Sequence, residues 1–123
     1  MYVVYLISSG NLSYIGMTND FFKRWKQHNG LLSGGAKYTS RRHDWTPLCI
    51  IDGFPTKSQA MQCEWKLKRS RGYLNRVNFI SYMMTQSKWT KSSPFIKDQP
   101  LQVYVVPEYK QFFSIPTKEL VWF

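Results

Sequence analysis

The chain reads as an α+β domain on three observations. Residues 2–17 alternate as a strand hairpin, two later stretches follow capped helical patterns, and Pro47-Leu48-Cys49-Ile50-Ile51 is a short apolar run of buried-strand type. Strands and helices mixed along 123 residues fit one domain that buries roughly two-thirds of its unfolded surface. At 43% hydrophobic and 17% aromatic residues there is ample material for a core, which excludes global disorder.

Tyr2-Val3-Val4-Tyr5-Leu6 and Ser13-Tyr14-Ile15-Gly16 flank the turn-forming cluster Ser8-Ser9-Gly10-Asn11. A turn centred on Ser9-Gly10 places Tyr5 directly across from Tyr14, with both phenols on one face. Thr18-Asn19-Asp20 are capping residues for a helix expected to end at Gly30. In that helix Phe21, Phe22 and Trp25 share a face and Arg24 and His28 line its edge, while Lys23, Lys26 and Gln27 point away. Residues 30–44, which hold three glycines and Arg41-Arg42, are expected to form a surface loop. After Asp52-Gly53, Thr56 and Gln59 make a capping box for a second helix running to about Ser70. Residues 73–84 suit a third helix on the core, and 85–100 a basic connection. Leu101 to Val106 reads as a late strand, placed at an edge by the prolines beside it, and 107–123 as an apolar tail without a clear element.

The charge balance narrows the function. Formal net charge is +10, and residues 20–97 carry 15 of the 17 lysines and arginines against Asp20, Asp44, Asp52 and Glu64. Such a field favours polyanions, either nucleic acid or an acidic membrane surface. No apolar run approaches the ~20 residues of a membrane span, and the first residues are strand-like rather than a leader. Cys49 and Cys63 are too few for a disulfide scaffold and sit where reduced core thiols do, which implies an intracellular compartment.

One carboxylate stands out. Glu64 projects from the arc of Ala60, Met61, Cys63, Trp65 and Leu67, about 40° from Ala60 and 60° from Leu67 at 100° per residue. A glutamate facing a core needs a partner, because an unpaired buried carboxylate costs several kcal/mol or takes up a proton. A structural ion pair with Arg24 or another cation satisfies it, and so does a divalent ion reached through a cleft. Helix position does not choose between them. Likewise Tyr5 and Tyr14 suit packing as well as chemistry, and Arg24 with His28 suits a solvated edge.

In order along the chain, Val3-Val4-Tyr5, Tyr14-Ile15-Gly16, Thr18, Arg24, His28-Asn29-Gly30 and Glu64 together resemble the GIY-YIG nucleases over roughly residues 1–84. Gly34-Gly35-Ala36, Thr39-Ser40, Trp45, Gly53-Phe54-Pro55 and Cys63-Glu64-Trp65 are most similar to the eukaryotic subunit that cuts flaps, forks and four-way junctions. Val3 replaces the family's first glycine, at a packing position. The resemblance implies an α+β fold with a small mixed or antiparallel three-stranded sheet flanked by helices. Residues 1–84 would form the nuclease domain and 85–123 a C-terminal extension packed on it. Two cysteines cannot build the zinc domain of the eukaryotic subunit, so the extension is expected to complete the fold or make a dimer. The resemblance by itself does not assign that subunit's scaffold partner to this chain.

The resemblance further implies DNA cleavage in repair or recombination, in the nucleus or another site of DNA replication, a viral one included. Tyr5 would be the general base, with Tyr14 holding the geometry and Arg24 stabilising the phosphate. His28 would bond a tyrosine or a phosphate, and Glu64 would bind one Mg²⁺ or Mn²⁺. A free tyrosine has a pKa of about 10, so about one in a thousand is ionised at neutrality. Arg24, the ion and nearby lysines are expected to lower that value, giving a rate that rises above neutral pH. Substrate capture is assigned to Lys37, Arg41, Arg42, Lys66, Lys68, Arg69 and Arg71. One glutamate per chain cuts one strand, so resolving a junction needs a homodimer or two successive cuts. The rival readings are a non-catalytic DNA-binding module and a sequence-specific nuclease of the homing or restriction type.

Overall fold

The N-terminal hairpin turns one residue later than its sequence suggests. Gly10 sits at φ +57°, the geometry that a two-residue turn with glycine in first place requires, and Ser9 pairs with Leu12 across Gly10-Asn11. The register therefore moves by two: Tyr5 lies opposite Gly16, and Tyr14 opposite Ile7. A shift of two residues keeps every side chain on its face, so the two phenols remain on one side as diagonal neighbours.

The computed structural model describes residues 1–122. Among them, β1 (Tyr2–Ser9), β2 (Leu12–Thr18), β3 (Thr46–Phe54), β4 (Gln102–Val105) and β5 (Lys118–Glu119) form one sheet in the order β2-β1-β3-β4-β5. All pairs are antiparallel except β4 with β5. The α+β class holds, with five strands rather than three. Val103 and Val105 bury on the same apolar face as Cys49 and Ile51, so β4 extends the sheet beside β3. Two residues of β5 then cover β4, which is not the edge its prolines suggested.

One sheet face packs on α2 (Lys57–Leu67) and α3 (Tyr73–Met83) through Val4, Leu6, Ile15, Cys49 and Ile51. Trp89 and Ile96, from the expected basic connection, close this core. The other face carries Tyr5, Ile7, Tyr14 and Ile50 beneath α1 (Phe21–His28). Asp20 caps α1 by accepting from the Lys23 amide, and Asn29 ends it. The expected apolar face of α1 is divided: Phe21 packs on Tyr5, Phe22 is exposed, and the helix buries His28. Trp122 of the tail packs against Phe21, Phe22 and Trp25.

Residues 30–44 form the expected surface loop, exposed except at Ala36 and Thr39, and the Asn29 side chain pins their far end by clamping Trp45. Its Oδ1 accepts from the Trp45 amide at 2.7 Å and its Nδ2 donates to the Trp45 carbonyl at 3.1 Å. In α2 the buried stripe is Ala60, Cys63 and Leu67, while Met61 and Trp65 are exposed, so the arc is narrower than expected. Thr56 caps α2 through the Gln59 amide, but the Gln59 Oε1 makes no return bond.

Candidate active site

The centre of the α1 face is a chain of three hydrogen-bonded side chains. The Tyr5 hydroxyl is 2.7 Å from His28 Nε2, and His28 Nδ1 is 2.8 Å from Thr39 Oγ1. Thr39 donates its single proton to the Ala36 carbonyl at 3.0 Å. It must therefore accept from His28 Nδ1–H, which leaves Nε2 as the acceptor and makes Tyr5 the donor. Burial, then the charge of Arg24, lowers the His28 pKa to about 4, so a neutral imidazole is the form present near pH 7.

Tyr5 itself is 2% exposed. Burial pushes its hydroxyl well above the usual phenol value, Tyr14 adds to that, and Arg24 opposes it without reversing it. Arg24 alone does not give the expected lowering, because loss of water outweighs one adjacent guanidinium. Gly16 makes room for the buried ring: a Cβ there would lie 2.6 Å from Tyr5 Cζ and collide with the hydroxyl.

The remaining groups ring this chain. Arg24 is half-buried, held by Nη1 bonds to Gln27 Oε1 at 2.9 Å and to the Gly34 carbonyl at 2.8 Å. Tyr14 lies 5.0 Å from the His28 ring and stacks on Tyr38 at 6.0 Å. Glu64 approaches from α2 at the β2 edge, its side chain 22% exposed and its Oε2 3.7 Å from Lys68 Nζ. Lys68 in turn sits 5.6 Å from the Tyr14 ring centroid. The fold thus gathers Tyr5, Tyr14, Arg24 and His28 on one face, with Glu64 at its margin. The cation paired with Glu64 is Lys68, one turn along its own helix, rather than Arg24.

The residues assigned to substrate capture come from two segments, the loop before β3 and the end of α2 with the turn after it. Lys68 and Arg71 line a cleft beside Tyr14, and Arg41 lies over the Tyr38 ring at 4.7 Å. Lys37 and Arg42 are exposed on the loop. Arg69 stacks on Trp65 at 3.9 Å, and Lys66, two residues on from Glu64, falls on the opposite side of α2. Gly16, Asn29, Thr39 and Trp45 stand in the sequence only as parts of a resemblance, yet they shape the site. Arg76, half-buried beside the cleft, carried no sequence signal beyond its charge.

The GIY-YIG catalytic domain matches residues 1–78. The chain belongs to the GIY-YIG family. Over 68 residues it is 44% identical to the structure-specific endonuclease subunit slx1 of Schizosaccharomyces japonicus, covering 52% of this chain and 25% of that protein. A subunit of the same name from Malassezia globosa is 42% identical over 72 residues, 56% of this chain and 16% of its own length. Another, from Botryotinia fuckeliana, is 48% identical over 54 residues, 42% and 13% respectively. The chain thus spans a quarter or less of the length of these relatives.

The donor set can also be tested against a metal ion. Among the described residues no three His, Cys, Asp or Glu side chains converge, so a protein-only cage of the zinc type is not built here. Glu64 instead presents one hard oxygen ligand at the rim of the site. That suits Mg²⁺ or Mn²⁺, which take one or two carboxylates, substrate phosphate oxygens and several waters. Lys68, close to Glu64, stands where such a cation would compete for the carboxylate.

Proposed function

We propose that this GIY-YIG domain is the catalytic module of a metal-dependent DNA endonuclease selective for branched structures such as flaps, forks and four-way junctions. The observation that carries the reading is the directed chain from Tyr5 through His28 to Thr39. A packing pair of tyrosines has no need of a buried neutral imidazole aimed at one hydroxyl. Among the described residues, no helix is long and apolar enough to cross a membrane, and the basic surface is read as a DNA face.

Tyr5 acts as the general base in this reading, but not as a resting phenolate. As water attacks phosphorus, its proton passes to the Tyr5 oxygen while the Tyr5 proton passes to His28 Nε2. The new P–O bond forms, the bond to the 3′ oxygen breaks, and that oxygen takes a proton from solvent. Arg24 binds the phosphate and stabilises its added charge. A phosphate there also offsets the cation that depresses His28, which makes the imidazole a better acceptor once substrate is bound. Tyr14 holds the Tyr5 and His28 rings in place. Glu64 would hold Mg²⁺ or Mn²⁺, which when bound supplies positive charge to the phosphate and the departing oxygen.

Residues 85–123 are read as an extension integral to the nuclease domain, since β4 and Trp122 join its sheet and its α1. The relatives are named as subunits, so a protein partner is proposed alongside DNA. A homodimer or two successive cuts would serve a junction, in the nucleus or another site of DNA replication. The test is cleavage of a labelled flap, a four-way junction and a plain duplex sharing one strand sequence, with Mg²⁺, Mn²⁺ or chelator. Cutting of the branched forms only, abolished by chelator, is expected. Equal cutting of the duplex would overturn the branch selectivity, and no cutting with either ion would overturn the enzyme.

A further inference from the structure

Beside the Tyr5–His28 chain runs a cleft of about 480 Å³, separated from it by the Tyr14 ring. Its walls carry Lys68, Arg71 and Arg76, together with Ser13, Tyr14 and Tyr38. Among the described residues no acidic side chain lines it, and of the three cations Lys68 alone has a carboxylate partner, Glu64. Arg76 comes from α3 and is anchored rather than mobile. Its Nε donates to the Ser70 carbonyl and its Nη1 to Ser13 Oγ, each at 3.0 Å. A guanidinium has five N–H groups, so two bonds leave three for a ligand. Burial lowers the pKa of Arg76, Tyr38 opposes this, and Arg71 adds to it as a like charge. Arg76 is half-buried with the exposed Arg71 as a like charge on the same cleft, and a bound anion would offset both.

We propose that this cleft is a second phosphate subsite, in which Arg76 and Arg71 hold a backbone phosphate of the DNA strand that flanks the one being cut. The proposal rests on the nuclease reading and adds a position to it. Arg24 serves the scissile phosphate, and the Arg71–Arg76 pair holds the strand one step along, with Tyr14 as the wall between them. Two fixed phosphates set the direction in which a strand lies across Tyr5, which a single contact does not. Contacts of this kind position the substrate and carry no base sequence.

The test uses Glu64→Gln protein, to prevent cutting, and a flap substrate with single methylphosphonates placed one at a time near the cleavage point. One neutral linkage beside the cut should weaken binding about ten-fold when Arg76 is intact and less than about two-fold in Arg76→Gln. The slope of log affinity against log salt should fall by about one in the same variant. Arg71→Ala, at an exposed residue, should show the same position-specific loss of coupling, so poor folding of Arg76→Gln would not decide the matter. If the intact protein cuts DNA but every linkage weakens wild-type and variant binding equally, the subsite is wrong and the nuclease reading stands. If the intact protein neither binds nor cuts any branched DNA, the nuclease reading falls first and the subsite with it.

Discussion

Toward α2 and α3 the sheet presents Val4, Leu6, Ile15, Cys49, Ile51, Val103 and Val105, an apolar face whose thiols are sealed in. Burial pushes the Cys49 thiol up to about 12 and that of Cys63 well above its ordinary value. Toward α1 the same strands present Tyr5 and Tyr14, and the helix and loop above add His28, Asn29, Thr39 and Trp45. Both faces exclude water. The first holds by area, which any well-packed apolar side chains supply. The second holds by direction, since each buried donor needs its own acceptor. The difference separates a face that keeps the protein folded from one that can move a proton.

Substitutions on the two faces should therefore fail in different ways. Tyr5→Phe and Glu64→Gln should lower the single-turnover cleavage rate by about 10²–10⁴-fold while DNA affinity changes little. Tyr5→Phe should also cost about 1–3 kcal/mol of stability, because it leaves the buried His28 Nε2 without its donor. A loss of affinity as large as the loss of rate would reassign both residues to binding. On the opposite face, Ile51→Ala and Leu6→Ala should cost about 2–5 kcal/mol in urea unfolding, with the rate per folded molecule unchanged. Gly16→Ala joins the two tests. Its Cβ must displace the Tyr5 hydroxyl, so cleavage should fall about 10- to 100-fold with a smaller loss of stability than Ile51→Ala. A fully active Gly16→Ala protein would show that the Tyr5 position is not critical.

The pH responses follow from the same contrast. His28 has a folded pKa of about 4 against an ordinary 6.5, so the unfolded state binds its proton first. Its contribution is whole above pH 6.5 and is lost as pH falls toward 4, by at most about 3 kcal/mol. Urea titrations at pH 7 and pH 4.5 read this loss, and His28→Asn should remove it. With Tyr5 raised rather than lowered, the cleavage rate with chemistry limiting should be level from about pH 6.5 to 9. A tenfold rise per pH unit would instead restore the resting phenolate. The smallest effect is expected of the thiols: Cys49 and Cys63 should resist alkylation in the folded protein, with activity unchanged.

Most of the scaffold was legible because its signals are local. Asp20 and Thr56 cap their helices as their positions suggest, residues 73–84 form a helix to within one residue, and alternation put Tyr5 and Tyr14 on one face. The site was legible as a set of residues and less so as an arrangement. Glu64 looked core-facing because Met61 and Trp65 were counted into the apolar arc, but both are exposed, and α2 buries a narrower stripe. Lys66 looked equivalent to Lys68 because charge carries no direction until the helix is docked. Thr39 and Arg76 lie 11 and 63 residues from their partners His28 and Ser13, beyond the reach of any local pattern.

What the chain alone determined is the period of its apolar residues, its caps, its positive charge and the ordered residues of its family, since each depends on near neighbours or on composition. Tertiary structure decided the two-residue change of hairpin register, the Asn29 clamp on Trp45 and the direction of the Tyr5–His28 hydrogen bond. It also set burial against Arg24 at the Tyr5 hydroxyl, where burial has the larger effect. Burial and hydrogen-bond partners are properties of segments brought together from far apart, and those two quantities govern where a proton rests.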